Sequence, residues 1–437
     1  MEKEMAVIVA KELLQYLNSS PSAAFATQNA AQMLIDAGFR EIYENMPWHL
    51  KSGDKFFFRK QSTALLAGIM GDSKVTESKF NIIGAHTDSP GLHVKYNGFL
   101  DKAGYRQLGV EVYGGPILAT WLDRELALAG RIVARRDNSL QSILWKSDAP
   151  WAIIPNAAIH LNREVNSDGL KLKNQENLPP IIGLSNLGKN FSREMLIGLI
   201  SESLGLQPKD ILGWELEFYD VQKGSLTGLE QEFIVSGRID NLAMCHAAIT
   251  ALINSKDSPK NTNLVFLFDN EEVGSNTLNG GGSPLMMNTL ERLIYAQNGS
   301  RADLFPALCR SFNISADGAH AIHPNYLDKY EPNHHVKLNN GPVIKINAQQ
   351  RYASSPESAA RFRLIADNAG VPVQNYIHHS NLPSGSTIGP ITSTLSGIPT
   401  VDVGNAMLSM HSIRETAGTL DHMMTIQVMK HFFSEDN

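Results

Sequence analysis

The stretch LVFLFDNEEVGS, residues 264–275, decides the fold. An apolar run with almost no polar interruption reads as a buried strand. That run enters Asp269, Glu271 and Glu272 directly. Two adjacent acids at the end of a buried strand must be desolvated, and their like charges repel. Something must compensate them.

Working outward, FNIIGAHTDSPG (80–91) reads as a second buried strand running into a Gly/Pro loop. Helical patterns fill residues 1–40. From 237 onward helix and strand alternate: DNLAMCHAAITALINS, PLMMNTLERLIYAQ and ARFRLIADNAG as helices, NLVFLFDN and the end of TSTLSGIPTVDVG as strands. Residues 92–236 have another texture. VEVYGGPILATWL, LALAGRIVARR, AIIPNAAIHL and WELEFYDVQ read as β-strands, with one helix in SREMLIGLISESLG and a loop at LKNQENLPP (172–180). The expected architecture is α/β. A discontinuous domain, 1–91 and 237–437, carries helices on both faces of a mixed sheet, and a β-rich domain, 92–236, is inserted into it.

Bulk properties narrow the function. The chain has 437 residues, 43% hydrophobic and 19% charged, enough for a large core and two or three domains. A formal charge of −6 gives no electrostatic footprint for nucleic acid. Cys245 and Cys309 are the only cysteines, so there is no disulfide framework and a reducing compartment fits. No apolar run reaches bilayer length. The N-terminal MEKEMAVIVAKELLQYLNSS carries acids where a signal peptide carries basic residues. Its Met5, Val7, Ile8, Leu13, Leu14 and Leu17 read as one helix face. The expectation is a soluble, cytoplasmic protein with no membrane or nucleic-acid partner.

In open α/β sheets, functional groups gather beyond the carboxyl ends of the strands. Each suspicious polar residue follows such an end: His86 and Asp88 after FNIIGA, Asp240 after FIVSGRI, Glu271 and Glu272 after LVFLFDN, Asp317 after CRSFNISA, and His411 in NAMLSMHSIRE after TVDVG. Singly, each has an ordinary reading. A His-x-Asp is commonly a surface hydrogen bond, a Glu-Glu pair is commonly solvated, and Asp240 suits a helix N-cap. Their joint occurrence at strand ends points to a pair of divalent cations, which would offset the crowded acids. Mixed imidazole and carboxylate donors suit zinc, cobalt or manganese better than magnesium or calcium. Two metals about 3.5–4 Å apart can polarise a carbonyl and activate water together. Asp88 can fix the His86 tautomer, and of the two glutamates one can ligate while the other serves as base.

GAHTDSPG, GRIDNLA, FDNEEVGS, SADGAHAIHPNY, GPVIKIN, SGSTIGPI and SMHSIRE stand in the order found in the aspartyl aminopeptidase family, of dinuclear zinc exopeptidases of the tetrahedral type, which the chain resembles from about residue 15 to its C-terminus. The resemblance implies a zinc-exopeptidase domain with an inserted dimerisation domain, and a dodecamer built from dimers. It implies two metal ions, with His86 and Asp317 on one, Glu272 and His411 on the other, and Asp240 bridging. Glu271 would be the general base and Asp88 the residue that orients His86. His160, in AAIHLNR, would reach the partner subunit's site and steady the oxyanion. Lys345, in GPVIKIN, would pair with an acidic side chain on the first substrate residue. His320 and His323 would lie near substrate, and at i and i+3 of a helical turn they would share a face. The substrates would be peptides with a free N-terminus, Asp or Glu preferred. Rival readings are a neutral-residue aminopeptidase, a dinuclear N-acyl amino acid deacylase, and a scaffold that has lost its chemistry. The complete ligand set argues against the last.

Overall fold

In the computed structural model of the chain, residues 2–185 and 191–435 are described. They divide into two compact units. One comprises Met1–Asp88, Gly224–Met410 and Glu415–Asn437; the other comprises Ser89–Lys223 and His411–Arg414.

Nine strands among the described residues form the central sheet of the first unit. Their order is Arg40–Glu41, Lys55–Lys60, Ala64–Ile69, Thr262–Phe268, Phe80–His86, Phe312–Ala316, Thr400–Gly404, Val343–Ile346 and Gln374–Ile377. The four consecutive strands from Thr262–Phe268 to Thr400–Gly404 run parallel, and every residue in them is buried. Alternate side chains feed two cores. Ile83, Val265, Leu267, Ile314 and Val401 join Leu13, Leu17, Leu34, Leu242 and Phe432 on one face. Ile82, Leu264, Phe266 and Phe268 join Leu290, Leu293, Leu304 and Ile388 on the other. Helices therefore cover both faces, and the unbroken apolar run at 264–268 follows from that burial. Truncating a side chain in this layer, such as Phe266, would cost about 3–5 kcal/mol.

The first helix, Glu2–Ser19, packs through Ala6, Ala10, Leu13 and Leu17, while Met5 and Ile8 are exposed. The buried stripe was thus misread. Ala6 and Ala10 join Leu13 and Leu17 in it, in place of Met5 and Ile8. A smaller sheet in the same unit orders Ser225–Thr227, Phe233–Ser236, Glu415–Gly418, Ala406–Leu408 and Ala319–His320. Its pairing draws residues 224–236 into the first unit, ahead of the change in sequence texture at 237.

The second unit is built on an antiparallel sheet, six-stranded among the described residues. Its order is Ser139–Lys146, Leu126–Arg136, Ile211–Asp220, Gly91–Lys102, Tyr105–Tyr113 and Ile181–Leu184. The helix Arg193–Leu204 packs on it through Leu196 and Ile200, against Leu128, Ile132 and Phe218. Two local expectations fail here. AIIPNAAIHL forms only isolated bridges at Ala152 and Ile153; past Pro155, which has no amide to donate, the chain is irregular and exposed. LKNQENLPP is not all loop. Asn174–Asn177 is a helical turn, closed by the Lys173 amide on Asn177 Oδ1 at 2.8 Å and followed by the fully buried Leu178.

Candidate metal centre

Three neighbouring parallel strands deliver acids and an imidazole to one edge of the sheet. Phe80–His86 ends in His86 itself. Thr262–Phe268 continues through Asn270, at φ 60°, into a 3-10 turn that starts with Glu271 and Glu272. Phe312–Ala316 is followed by Asp317. Adjacent strands lie only about 4.8 Å apart, so side chains leaving their ends converge. A Cβ at Gly404 would fall 1.8 Å from the Asp317 carbonyl oxygen, so glycine is required where the next strand ends against it.

Asp240 arrives from another direction. It lies in the opening turn of Ile239–Ile253, where Asp240 and Asn241 depart from helical geometry and the peptide between them is cis. The Asp240 amide donates to Glu415 Oε2 at 3.0 Å, and Asn241 Nδ2 donates to the Ala316 carbonyl at 2.8 Å. These two bonds tie the turn to the Asp317 strand and to the smaller sheet.

His86 Nδ1 donates to the Asp88 carbonyl at 3.0 Å, with Asp88 Oδ1 at 3.3 Å. A carbonyl only accepts, so Nδ1 carries a proton, and whenever the ring is neutral Nε2 presents its lone pair. That nitrogen lies 3.5 Å from Asp240 Oδ1 and 3.9 Å from Glu271 Oε2. Ligand atoms of His86, Asp240 and Glu272 all lie within 4.8 Å of one another. Asp88 does more than fix a tautomer. Its two carboxylate oxygens accept from the Glu271 and Glu272 amides, each at 3.1 Å, and so pin the Glu-Glu turn to the histidine strand. Cys245 Sγ donates to the His86 carbonyl at 2.9 Å from below.

The protonation states show what the arrangement lacks by itself. Burial, reinforced by Asp317, Asp88 and Asp240 against the opposing His86, pushes Glu271 up to about 8. Burial and then Asp240 raise Glu272 well above the carboxylate range. Burial also raises Asp317, against the pull of Lys345. His86 is raised because Asp240, Asp88 and Glu271 together outweigh its burial. The bare cluster therefore holds protons, and a divalent cation can take their place. A mixed imidazole–carboxylate donor set fits zinc, cobalt or manganese.

Lys345 is 2% exposed. Its ammonium donates to the Gly318 carbonyl at 3.1 Å and stands 3.5 Å from Asp317 Oδ1, so it faces the cluster. Burial opposes its charge, but Asp317, Tyr352, Asp402 and Asp240 raise its pKa overall. His320 and His323 do not share a helical turn. His320 ends the short strand Ala319–His320, held by the Ala319 amide on the Asn405 carbonyl, and its ring lies 5.5 Å from that of Tyr376. His323 is in irregular chain before Pro324, its ring edge-on to Tyr326 at 4.8 Å. Strand pairing wins over helical spacing at this point.

The first unit thus brings together His86, Asp88, Asp240, Glu271, Glu272, Asp317 and Lys345. His411 and His160 belong to the second unit. His411 has φ 68°, and its Nδ1 donates to the Gly115 carbonyl at 3.0 Å, which leaves Nε2 with the lone pair as in His86. His160 sits in an exposed turn. Sequence reasoning missed Glu415, Asn241 and Cys245 as supports of the cluster. Only Glu415 carried a signal, an acid embedded in a strand that is largely buried.

Residues 16–433 match the profile of the family described as Aminopeptidase I zinc metalloprotease (M18). The "Probable M18 family aminopeptidase 2" of Clostridium novyi (strain NT) is 43% identical over 428 residues, covering 97% of this chain and 98% of its own. The chain belongs to the M18 aminopeptidase family.

Solved structures of M18 type agree. One, of the Ape4 and Nbr1 complex, superposes with a TM-score of 0.94 at 35% identity, covering 99% of this chain and 86% of that one. Another, the Saccharomyces cerevisiae mApe1 dodecamer, gives 0.84 at 27% identity, covering 97% and 96%. The expected fold class and family both hold: this M18 chain is a metallo-aminopeptidase of a zinc family, with a mixed α/β fold. No helix among its described residues is long and apolar enough to cross a membrane.

Proposed function

We propose that this M18 aminopeptidase removes N-terminal Asp or Glu from peptides at a two-ion centre, zinc being the first choice of metal. The buried convergence of His86, Asp240 and Glu272, with Glu271 beside them, carries the reading. In this proposal His86, Asp240, Glu272, Asp317 and His411 would hold the two ions. Two divalent ions, when bound, polarise the scissile carbonyl and acidify the attacking water. Glu271 accepts a proton from that water and passes it to the leaving nitrogen. Its raised pKa in the bare cluster supports a group able to both take and give a proton near neutrality. Asp88 keeps the His86 tautomer and holds the turn bearing Glu271. Once the charge of Asp317 is engaged by a cation, the Lys345 ammonium beside it retains charge for an acidic substrate side chain.

The chain assembles, in this reading, as a homo-dodecamer built from dimers in the cytoplasm. The dodecameric S. cerevisiae mApe1 supports that assembly. The β-rich second unit provides contacts between copies, and the exposed His160 steadies the oxyanion in a neighbouring subunit. His320 and His323 contact the substrate.

A chelated preparation, reloaded with single metals, should cleave acidic p-nitroanilides faster than neutral ones and leave N-acetylated counterparts intact. Equal cleavage of acetylated and free substrates would replace the aminopeptidase mechanism with deacylation. Equal rates on acidic and neutral residues would remove the acidic preference alone.

A further inference from the structure

Away from the metal centre, the helices Glu2–Ser19, Ala23–Asp36 and Ile239–Ile253 border a cavity of about 400 Å³. Glu12, Tyr16, Gln32, Asp36, His246 and Thr250 are among its lining residues. The volume lies at the small end of the range for ligand pockets, about 300–1,000 Å³.

His246 is only 3% exposed, and its protonation can be traced through a chain of hydrogen bonds. Thr425 Oγ1 donates to Asn405 Oδ1 at 2.5 Å, which orients the amide. Asn405 Nδ2 then donates to His422 Nδ1 at 3.4 Å. His422 therefore carries its proton on Nε2 and donates to His246 Nδ1 at 2.9 Å. His246 is left with an N–H at Nε2, for which no acceptor is found among the described residues. Burial holds the ring neutral, with its pKa down to about 4. One turn further along the same helix, Thr250 Oγ1 is also buried and makes no hydrogen bond among the described residues. The cavity thus combines a neutral N–H donor and a hydroxyl with two acids, Glu12 and Asp36. Gln32 Nε2 donates to one oxygen of Asp36 at 2.8 Å and leaves the other available. Among the described residues, no basic side chain lines the cavity.

We propose that this cavity is a second ligand site, for a small primary ammonium compound that also bears a neutral hydrogen-bond acceptor, such as an amino alcohol. The two acids attract the ammonium group and repel an anion. The Thr250 hydroxyl loses by burial unless it is paired, and the His246 N–H has no acceptor among the described residues, which together select a ligand oxygen. The lone pair of His246 is turned to His422 and so is not offered to a metal ion.

The test uses the metal-loaded enzyme with its active site saturated by an amino-acid hydroxamate, titrated calorimetrically with ethanolamine. One saturable event per chain is expected, with ethylammonium and acetate each binding at least about tenfold more weakly. Thr250→Val should weaken ethanolamine by about three- to tenfold, the loss of roughly one hydrogen bond, and Glu12→Gln by about two- to fivefold, the loss of an exposed charge contact, while both leave kcat unchanged. Absence of saturable binding in the inhibited wild type, unchanged affinity in both variants, or equal binding of ethylammonium would overturn the proposal.

Discussion

Removing the metal should make the stability of this protein depend on pH in a direction fixed by the cluster. Glu271 has a folded-state pKa of about 8 against an ordinary value of 4.5. The folded chain therefore holds a proton that the unfolded chain has released, and stability falls as pH rises toward 8. Glu272 and His86, both raised, act with the same sign. His246 and His422 act oppositely: burial lowers both below the ordinary 6.5, so they add stability as pH rises through that value, and the gain fades within about one pH unit above it. Asp421, raised to about 7 by burial away from the cluster, adds a loss of the same sign in the lower part of the window from 6.5 to 8, and Glu271→Gln separates the share of the acid cluster. Each excess proton is worth about 1.4 kcal/mol per pH unit, so Glu271 alone accounts for roughly 2 kcal/mol across that window. At about 2.1 cal/mol/K per residue for a 437-residue chain, the corresponding drop in Tm is about 2 °C. The assay is scanning calorimetry of chelator-dialysed protein at constant ionic strength, beside the reloaded protein and chelated Glu271→Gln. The stripped wild type should lose stability across the window, and Glu271→Gln and the reloaded protein should each lose less. A flat or rising profile in the stripped wild type, or the same slope in Glu271→Gln, would refute the account of protons standing in for cations.

Glu271→Gln should retain bound metal by elemental analysis while turnover drops about 10²- to 10⁴-fold, because the base is lost and the donors remain; full turnover with normal metal content would take Glu271 out of that role. Asp88→Ala removes the acceptor of two turn amides and one side of the His86 anchor. Metal affinity should fall about 10- to 100-fold, and a competition assay against a chelator reads it. Lys345→Met should slow acidic substrates by about 10- to 150-fold, the worth of a charged hydrogen bond, with a much smaller effect on neutral ones. A panel of N-terminal residues losing activity uniformly would count against acid recognition.

Much of this centre was legible because parallel strands announce both themselves and their ends. The apolar runs at 80–86, 264–268 and 312–316 have no alternation, and the first polar residues after them must lie at the sheet edge. That is why His86, Glu271, Glu272 and Asp317 were found by position. Asp240 was found for a weaker reason. The strand before it, Phe233–Ser236, belongs to the smaller sheet. The residue reaches the cluster through a non-helical turn anchored to Ala316 and Glu415, 75 and 175 positions away from the bonded residues. No local pattern encodes such contacts. The hairpin Lys55–Lys60/Ala64–Ile69 was silent for a different reason. Its turn places Gln61 and Ser62 at φ 46° and 68°, without the Asn or Gly that ordinarily marks such a turn. Likewise Ala6 and Ala10, not Met5 and Ile8, face the core, because the partner surface decides which apolar residues are covered.

The two adjacent acids that first looked costly now have a physical explanation, and it runs through Asp88. A buried carboxylate is tolerated when enough donors point at it. Asp88 has two backbone amides and lies beside the protonated nitrogen of His86. Its oxygens are therefore engaged by backbone and ring geometry, away from the other acids. Glu271 and Glu272 have the reverse arrangement. Their amides are used, but their carboxylates are buried among other acids, which raises both above the ordinary carboxylate range. The sequence separation between Asp88 and the glutamates is large, yet the parallel pairing of Phe268 with His86 makes them neighbours by register. Register in the central sheet is thus part of the chemistry. Slipping those two strands by one residue would turn His86 to the opposite face and carry the Glu-Glu turn off Asp88 together.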